Sequence, residues 1–222
     1  MHLLFVFACT KDSLDSGTLD SADTGEAEEP STACPPWAGL EQGTDLDYED
    51  TPEHQADTGT KSTFTHTVVS HGPWGDGTLV TTSSVTTYEA SHLEDFAGEY
   101  TRTYGCDDEG AWMLTTEYSA SWTAGGEVVE SSYSTEWDGY LSMPWAPEEG
   151  WTTTWTRTQT DANGSFSDEG SFTATLADGS AEVETGIGTF EGIAIEFDGD
   201  RAHYYDEEHG LLRSPSSWLT EL

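Results

Sequence analysis

Residues 112–123 read WMLTTEYSASWT, with Trp112, Leu114, Tyr118, Ala120 and Trp122 at even positions. Thr115, Glu117, Ser119, Ser121 and Thr123 fill the odd ones. A period of two is the repeat of a β-strand, whose side chains point alternately to opposite faces. This run therefore predicts a long strand with one wet face. Gly125-Gly126 then suits a two-residue hairpin turn. The return segment, VVESSYSTEW, carries Val129, Tyr133 and Trp137 on one side. In WTTTWTRTQT (151–160) the same alternation aligns Trp151, Trp155 and Arg157.

Turn signals punctuate the rest. Asn163-Gly164, Asp178-Gly179 and the Asp-Gly-Asp at 198–200 separate strand-like runs, among them SFTATLA (171–177) and FEGIAIEF (190–197). Upstream, STFTHTVVS and TLVTTSSVTTYEA are rich in the β-branched residues that strands favour. Apolar spacing of 3.6 residues is absent, with one turn of helix expected within 89–100. The pattern predicts an all-β chain, an antiparallel meander of about ten strands. Its forms are a curved sheet, a half-barrel, a barrel or a sandwich.

Composition narrows the partners. Hydrophobic residues make up 34% of the 222, and 43 acidic residues face only 6 Lys and Arg, a net charge of -37. Such a field repels nucleic acid and anionic lipid surfaces, which makes both poor candidates as partners. From residue 63 onward 29 acidic residues face four arginines, so the domain itself is acidic. Surfaces of this kind suit high-salt habitats, where screening removes self-repulsion. A lineage of acidic exported proteins would read the same way.

The N-terminal stretch MHLLFVFACT holds six apolar residues and then Cys9. Six residues are too few to cross a bilayer, which takes about 20, and no Lys or Arg precedes them. Val6-Phe7-Ala8-Cys9 resembles the cleavage box of bacterial lipoproteins, and that resemblance implies Cys9 as the lipid-bearing first mature residue. A short N-terminal strand is the alternative. The following TKDSLDSGTLDSADTGEAEEPST has too little apolar content to fold. The expected organisation is a signal-like segment over 1–8, a disordered acidic tether over 9–33 and a β-domain over 34–222, with 34–60 an irregular lead-in. With Cys9 acylated, Cys34 and Cys106 remain as an even pair, which an exported protein oxidises. Two free thiols are the other reading.

YGCDDEGAW (104–112), PWAPEEGWTTTW (144–155), VETGIGTFEGIAIEF (183–197) and HYYDEEHGLLRS (203–214) occur in that order. Over about residues 100 to 215 the chain thereby resembles uncharacterised bacterial exported lipoproteins with a C-terminal curved β-sheet domain. These are similar to the periplasmic lipoprotein carriers. The resemblance implies a β-sheet fold, export and a structural Cys106. It carries no shared activity.

No catalytic constellation stands out. The seven His are scattered without an HExxH, and no nucleophile elbow, Walker loop or dinucleotide fingerprint is present. Carboxylates are too numerous for any one pair to signal acid–base chemistry. Metal ligation is not expected, calcium being the weak exception at DLDYED (45–50) and DGDRAHYYDEE (198–208), neither with the spacing of a calcium loop. Arg157 is expected to pair with a carboxylate or to stack on a neighbouring Trp. Trp112, Tyr118, Trp122, Tyr133, Trp137, Trp151 and Trp155 read either as a packed core or as the lining of a hydrophobic-ligand site. The resulting expectation is a lipid-anchored, non-enzymatic envelope protein that binds or supports. A secreted hydrolase using rim carboxylates is the alternative.

Overall fold

The computed structural model describes Cys34, residues 40–89, 94–144, Pro147, and residues 150–199, 201–206 and 208–222. The signal-like segment, Cys9 and the tether lie outside the described residues. Among the described residues thirteen strands form: β1 (Asp45–Asp50), β2 (Lys61–Trp74), β3 (Gly77–Glu89), β4 (Glu94–Cys106), β5 (Gly110–Ala124), β6 (Glu127–Asp138) and β7 (Leu141–Pro144). They continue as β8 (Trp151–Asp161), β9 (Gly164–Thr185), β10 (Gly188–Phe197), β11 (His203–Asp206), β12 (Gly210–Arg213) and β13 (Ser217–Glu221). One short helix, α1 (Pro52–Thr58), joins β1 to β2.

Every pairing is antiparallel. The order β4-β3-β2-β1-β13-β12-β11-β10-β9-β8-β6-β5 returns to β4, which closes a barrel of twelve strands. The short β7 extends the β6 ribbon along the start of β5, with Ala111 opposite Met143. Closure removes the unpaired edges that an open meander would expose. It depends on β1 meeting β13, Tyr48 opposite Leu219.

Alternation explains the abundance of Thr and Ser. Outward hydroxyls bridge neighbouring strands, as in Thr63–Thr87 (2.9 Å), Thr158–Ser167 (2.8 Å) and Thr160–Ser165 (2.7 Å). Such cross-strand pairs stabilise a wetted sheet face by a few tenths of a kcal/mol each. Inward positions hold the core, and its fully buried members are Val68, Val80, Ile195, Leu212 and Leu219. Tyr48 stacks on Phe64 at 4.7 Å and donates its hydroxyl proton to the Leu211 carbonyl at 2.6 Å, tying β1 to β12 inside the wall. Cys34 and Cys106 form a disulfide with Cα atoms 5.6 Å apart, both side chains buried in this core. Gly77 lies so close to the Cys106 carbonyl that a Cβ there would collide with backbone.

Several expectations change. The stretch 34–60 is not irregular throughout, because it contains β1 and α1. Thr51 caps α1 by accepting the His54 N–H at 3.2 Å, Pro52 follows, and Gly59 closes the helix in the left-handed region at φ 70°. Residues 94–100 are strand, so the turn of helix expected in that neighbourhood is absent there. Asp178-Gly179 does not reverse the chain, which runs straight through it inside the 22-residue β9. The pairing with β10 shifts register at Ala194–Asp178, a bulge in place of a turn. Gly125-Gly126 does make a hairpin, and the expected turn near Asn163-Gly164 forms one residue earlier, at Ala162-Asn163, with Gly164 already paired to Asp161.

Candidate binding site

Strand register aligns inward side chains into tiers across the barrel wall. One tier runs His66, Ser84, Tyr100, Tyr118, Tyr133, Asp161 over β2, β3, β4, β5, β6 and β8. The adjacent tier, nearer the packed core, runs Val68, Thr82, Arg102, Thr116, Thr135, Gln159. Next come Trp137, Arg157 and Asp168 on β6, β8 and β9.

Burial falls off along this inward face. Tyr104, two residues beyond Arg102, is only 5% exposed, whereas Tyr88 on the same face of β3 is 40% exposed. Phe166, opposite Gln159, is 49% exposed. Tyr100, Tyr118, Trp122 and Tyr133 are half-buried. One half of the interior is thus a packed core, and the inward face of the other half, the cup, carries partly exposed rings. Tyr100 and Tyr118 lie 4.5 Å apart between ring centres, and Tyr118 and Tyr133 5.0 Å apart. Phe96 bridges Tyr88 (4.6 Å) and Trp122 (6.4 Å) at the rim. Desolvation pushes the Tyr133 phenol up to about 12, helped by a hydrogen bond to Tyr100.

A second aromatic chain sits beside the first. Trp137 contacts Tyr140 (5.0 Å) and Trp155 (5.1 Å), while Phe172 and Phe197 join Trp151 edge to face. The Trp137 indole N–H donates to Thr116 Oγ1 at 3.2 Å, which satisfies its polar end. Trp155 lies over Gly170, where a Cβ would strike the indole. Arg157 pairs with Asp168 through two bonds of 2.7 and 2.9 Å, with Trp155, Trp137 and Phe166 around its guanidinium.

Of the seven aromatics singled out in the sequence, Tyr118, Trp122, Tyr133, Trp137, Trp151 and Trp155 share the inward face. Trp112 does not. A register shift between Thr103 and Tyr104 places Met113 opposite Tyr104 on the inside and Trp112 opposite Gly105 on the outside. Gly105 is there covered by the Trp74 ring. The Trp112 indole N–H donates to Asp107 at 3.0 Å, a turn contact remote from the cup.

Three interior polar groups escaped the sequence reading. Arg102 lies 4.8 Å from the Tyr100 ring centre and pairs with no carboxylate among the described residues. Thr82, directly opposite it on β3, is 1% exposed, and its hydroxyl has no hydrogen-bond partner. His66 Nδ1 lies 2.8 Å from Ser84 Oγ, and its buried Nε2 is unpartnered. Burial, reinforced by Arg102, lowers the His66 imidazole to about 4, so it is neutral near pH 7. Burial pushes Tyr104 up to about 12 against the opposing pull of Arg102, and Arg102 acts on Tyr140 in the same sense.

No family model, curated protein or solved structure matches the chain. Its chemistry has to be read from its own side chains. Among the described residues no three His, Cys, Asp or Glu converge to hold a metal ion. In the 45–50 run, Asp45 and Asp47 accept from Thr67 (2.5 Å) and Thr65 (2.6 Å) on one face. Asp50 points inward and accepts from the Ser62 N–H and hydroxyl, both at 2.7 Å. In the second run, Asp198 accepts the Thr173 N–H at 2.8 Å. Asp206 holds both the backbone N–H (2.6 Å) and the Nδ1 (2.7 Å) of His209, locking the β11–β12 turn. Two open hollows of about 700 and 540 Å³ lie mainly on the polar, outward side of β4, β5 and β6, where Glu99, Glu117 and Glu130 contribute to their walls.

Proposed function

We propose that this chain is a lipid-anchored envelope protein whose barrel is a non-enzymatic binding module, holding a hydrophobic small molecule against the aromatic cup. The observation that carries this reading is the exposure of inward-facing rings. Tyr88 and Phe166, on the inward face near the strand ends, remain 40% and 49% exposed, against 5% for Tyr104 deeper in the wall. Apolar surface left open inside a concave wall is what a ligand pocket offers.

Export and anchoring are argued from the apolar stub, Cys9 and the polar leash that follows it. The Cys34–Cys106 bridge fits an oxidising compartment. The outward face of the wall carries Thr, Ser and Glu, such as Thr63, Glu99, Ser119 and Ser132. That is not the apolar band a lipid-embedded barrel presents, so the lipid on Cys9, and not the barrel, would meet the membrane.

The test is a titration of full-length protein with N-phenyl-1-naphthylamine, an uncharged dye that fluoresces in apolar surroundings. Saturable enhancement at one site supports the reading. A linear, unsaturable response contradicts it. Mass spectrometry of protein from its own host tests the anchor, since diacyl mass on Cys9 is expected there.

A further inference from the structure

We propose that Arg102, Thr82 and His66 form the floor of the cup as a receptor for one carboxylate, so that the module's ligand is a monocarboxylic acid with an apolar body. The inference rests on the reading of the cup as a ligand site and specifies which end of the ligand goes where.

Four observations carry it. First, in a chain with 43 acidic and 6 basic residues, a cation without a carboxylate is the exception. Lys61, Arg157 and Arg213 each hold an acidic partner, and Arg201 is engaged as well. Arg102 alone of the described cations faces the interior with only a ring beneath it. Second, the group opposite it, Thr82 Oγ1, is buried without a partner among the described residues, and a buried hydroxyl left unsatisfied is destabilising. Third, His66 Nε2 is also unpartnered, one tier away. In the tautomer where Ser84 donates to Nδ1, Nε2 carries the proton and is a second neutral donor, and that is the tautomer the proposal requires. Fourth, the tier above, which His66 shares with Ser84 and Asp161, carries the Tyr100, Tyr118 and Tyr133 rings.

A guanidinium fork and two neutral donors match the two oxygens of a carboxylate. The rings above match an aliphatic or aromatic tail. The ligand's charge is set by the same count. One interior cation without a carboxylate among the described residues neutralises one negative charge, and the net charge of -37 opposes any further anionic group, so a phosphate dianion or a dicarboxylate is disfavoured.

The experiment compares decanoate with decanol, binding to the full-length protein by titration calorimetry in about 0.5 M NaCl, where screening shortens the reach of the surface charge. Circular dichroism checks that each variant is folded. Decanoate is expected to bind at least about tenfold more tightly than decanol, the scale of a charge-assisted hydrogen-bonded pair. Arg102→Gln should bring decanoate down to the decanol affinity while leaving decanol unchanged. Thr82→Val, which keeps shape and removes the hydroxyl, should weaken decanoate a few-fold and decanol not at all. Equal affinities in the unaltered protein, or a preference that survives Arg102→Gln, overturn the carboxylate site while leaving the hydrophobic cup standing. Binding of neither compound overturns both.

Discussion

Arg102 and Thr82 face each other across β4 and β3 inside the barrel, and among the described residues neither has the partner its chemistry calls for. Some other interior polar groups are satisfied. Asp50 takes both the N–H and the hydroxyl of Ser62, and the Trp137 indole finds Thr116. An unpaired cation beside an orphaned hydroxyl is a local cost to folding, of the kind that functional sites carry.

That cost predicts the response to Arg102→Leu. Removing a charge with no carboxylate partner abandons no ion pair, and only the contact with Tyr100 is lost. Ligand-free stability, measured by urea denaturation, should stay within about 1 kcal/mol of the unaltered protein or rise. A loss of several kcal/mol would mean that Arg102 is a structural keystone.

The disulfide should contribute in the usual range for a long loop. Cys34 and Cys106 are separated by 72 positions, and closing that loop stabilises by about 4 kcal/mol at most on the chain-entropy model. Cys106→Ala, or reduction, should lower the unfolding free energy by about 2–4 kcal/mol. An unchanged melt with and without reductant would contradict this.

Acid should expose His66. Its imidazole is held at about 4 in the folded chain against 6.5 in a free one, so between those values the unfolded chain binds a proton that the folded chain refuses. Stability therefore falls as pH drops from 6.5 toward 4, by about 3 kcal/mol at the upper limit for this one group. His66→Gln should flatten that part of the pH–stability curve relative to the unaltered protein. Parallel curves would show that His66 is solvated.

Gly170→Ala tests the aromatic wall. Trp155 covers the position of the new Cβ, so the indole must move. A change in near-UV circular dichroism and a loss of about 1–3 kcal/mol are expected, the cost of overpacking. No spectral change would place Trp155 elsewhere.

How far the sequence reached can be told from particular residues. Period-two runs showed the strands and put Tyr118, Tyr133, Trp137 and Trp155 on one face, because alternation holds wherever pairing is regular. It failed at Trp112, where the register shift beside Tyr104 turns the strand over. Nothing in WMLTT announces that shift. The α1 signals, Thr51-Pro52 and Gly59, were present but brief within an acidic run. Asp178-Gly179 looked like a turn, although long pairing on both sides carries the strand through it. Closure was not legible, since β1 and β13 lie at opposite ends of the chain. The Arg102, Thr82 and His66 cluster was invisible for a related reason. Three unremarkable polar residues become neighbours only through the registers of two hairpins.

The central claim is that the cup, and not the polar hollows outside it, takes an apolar ligand. Crystals grown with 10-bromodecan-1-ol and measured at the bromine absorption edge test it most directly. The account predicts an anomalous peak inside the barrel against the rings of Tyr118 and Tyr133. A peak in the outward hollow beside Glu99 and Glu117, or no peak at all, would contradict it.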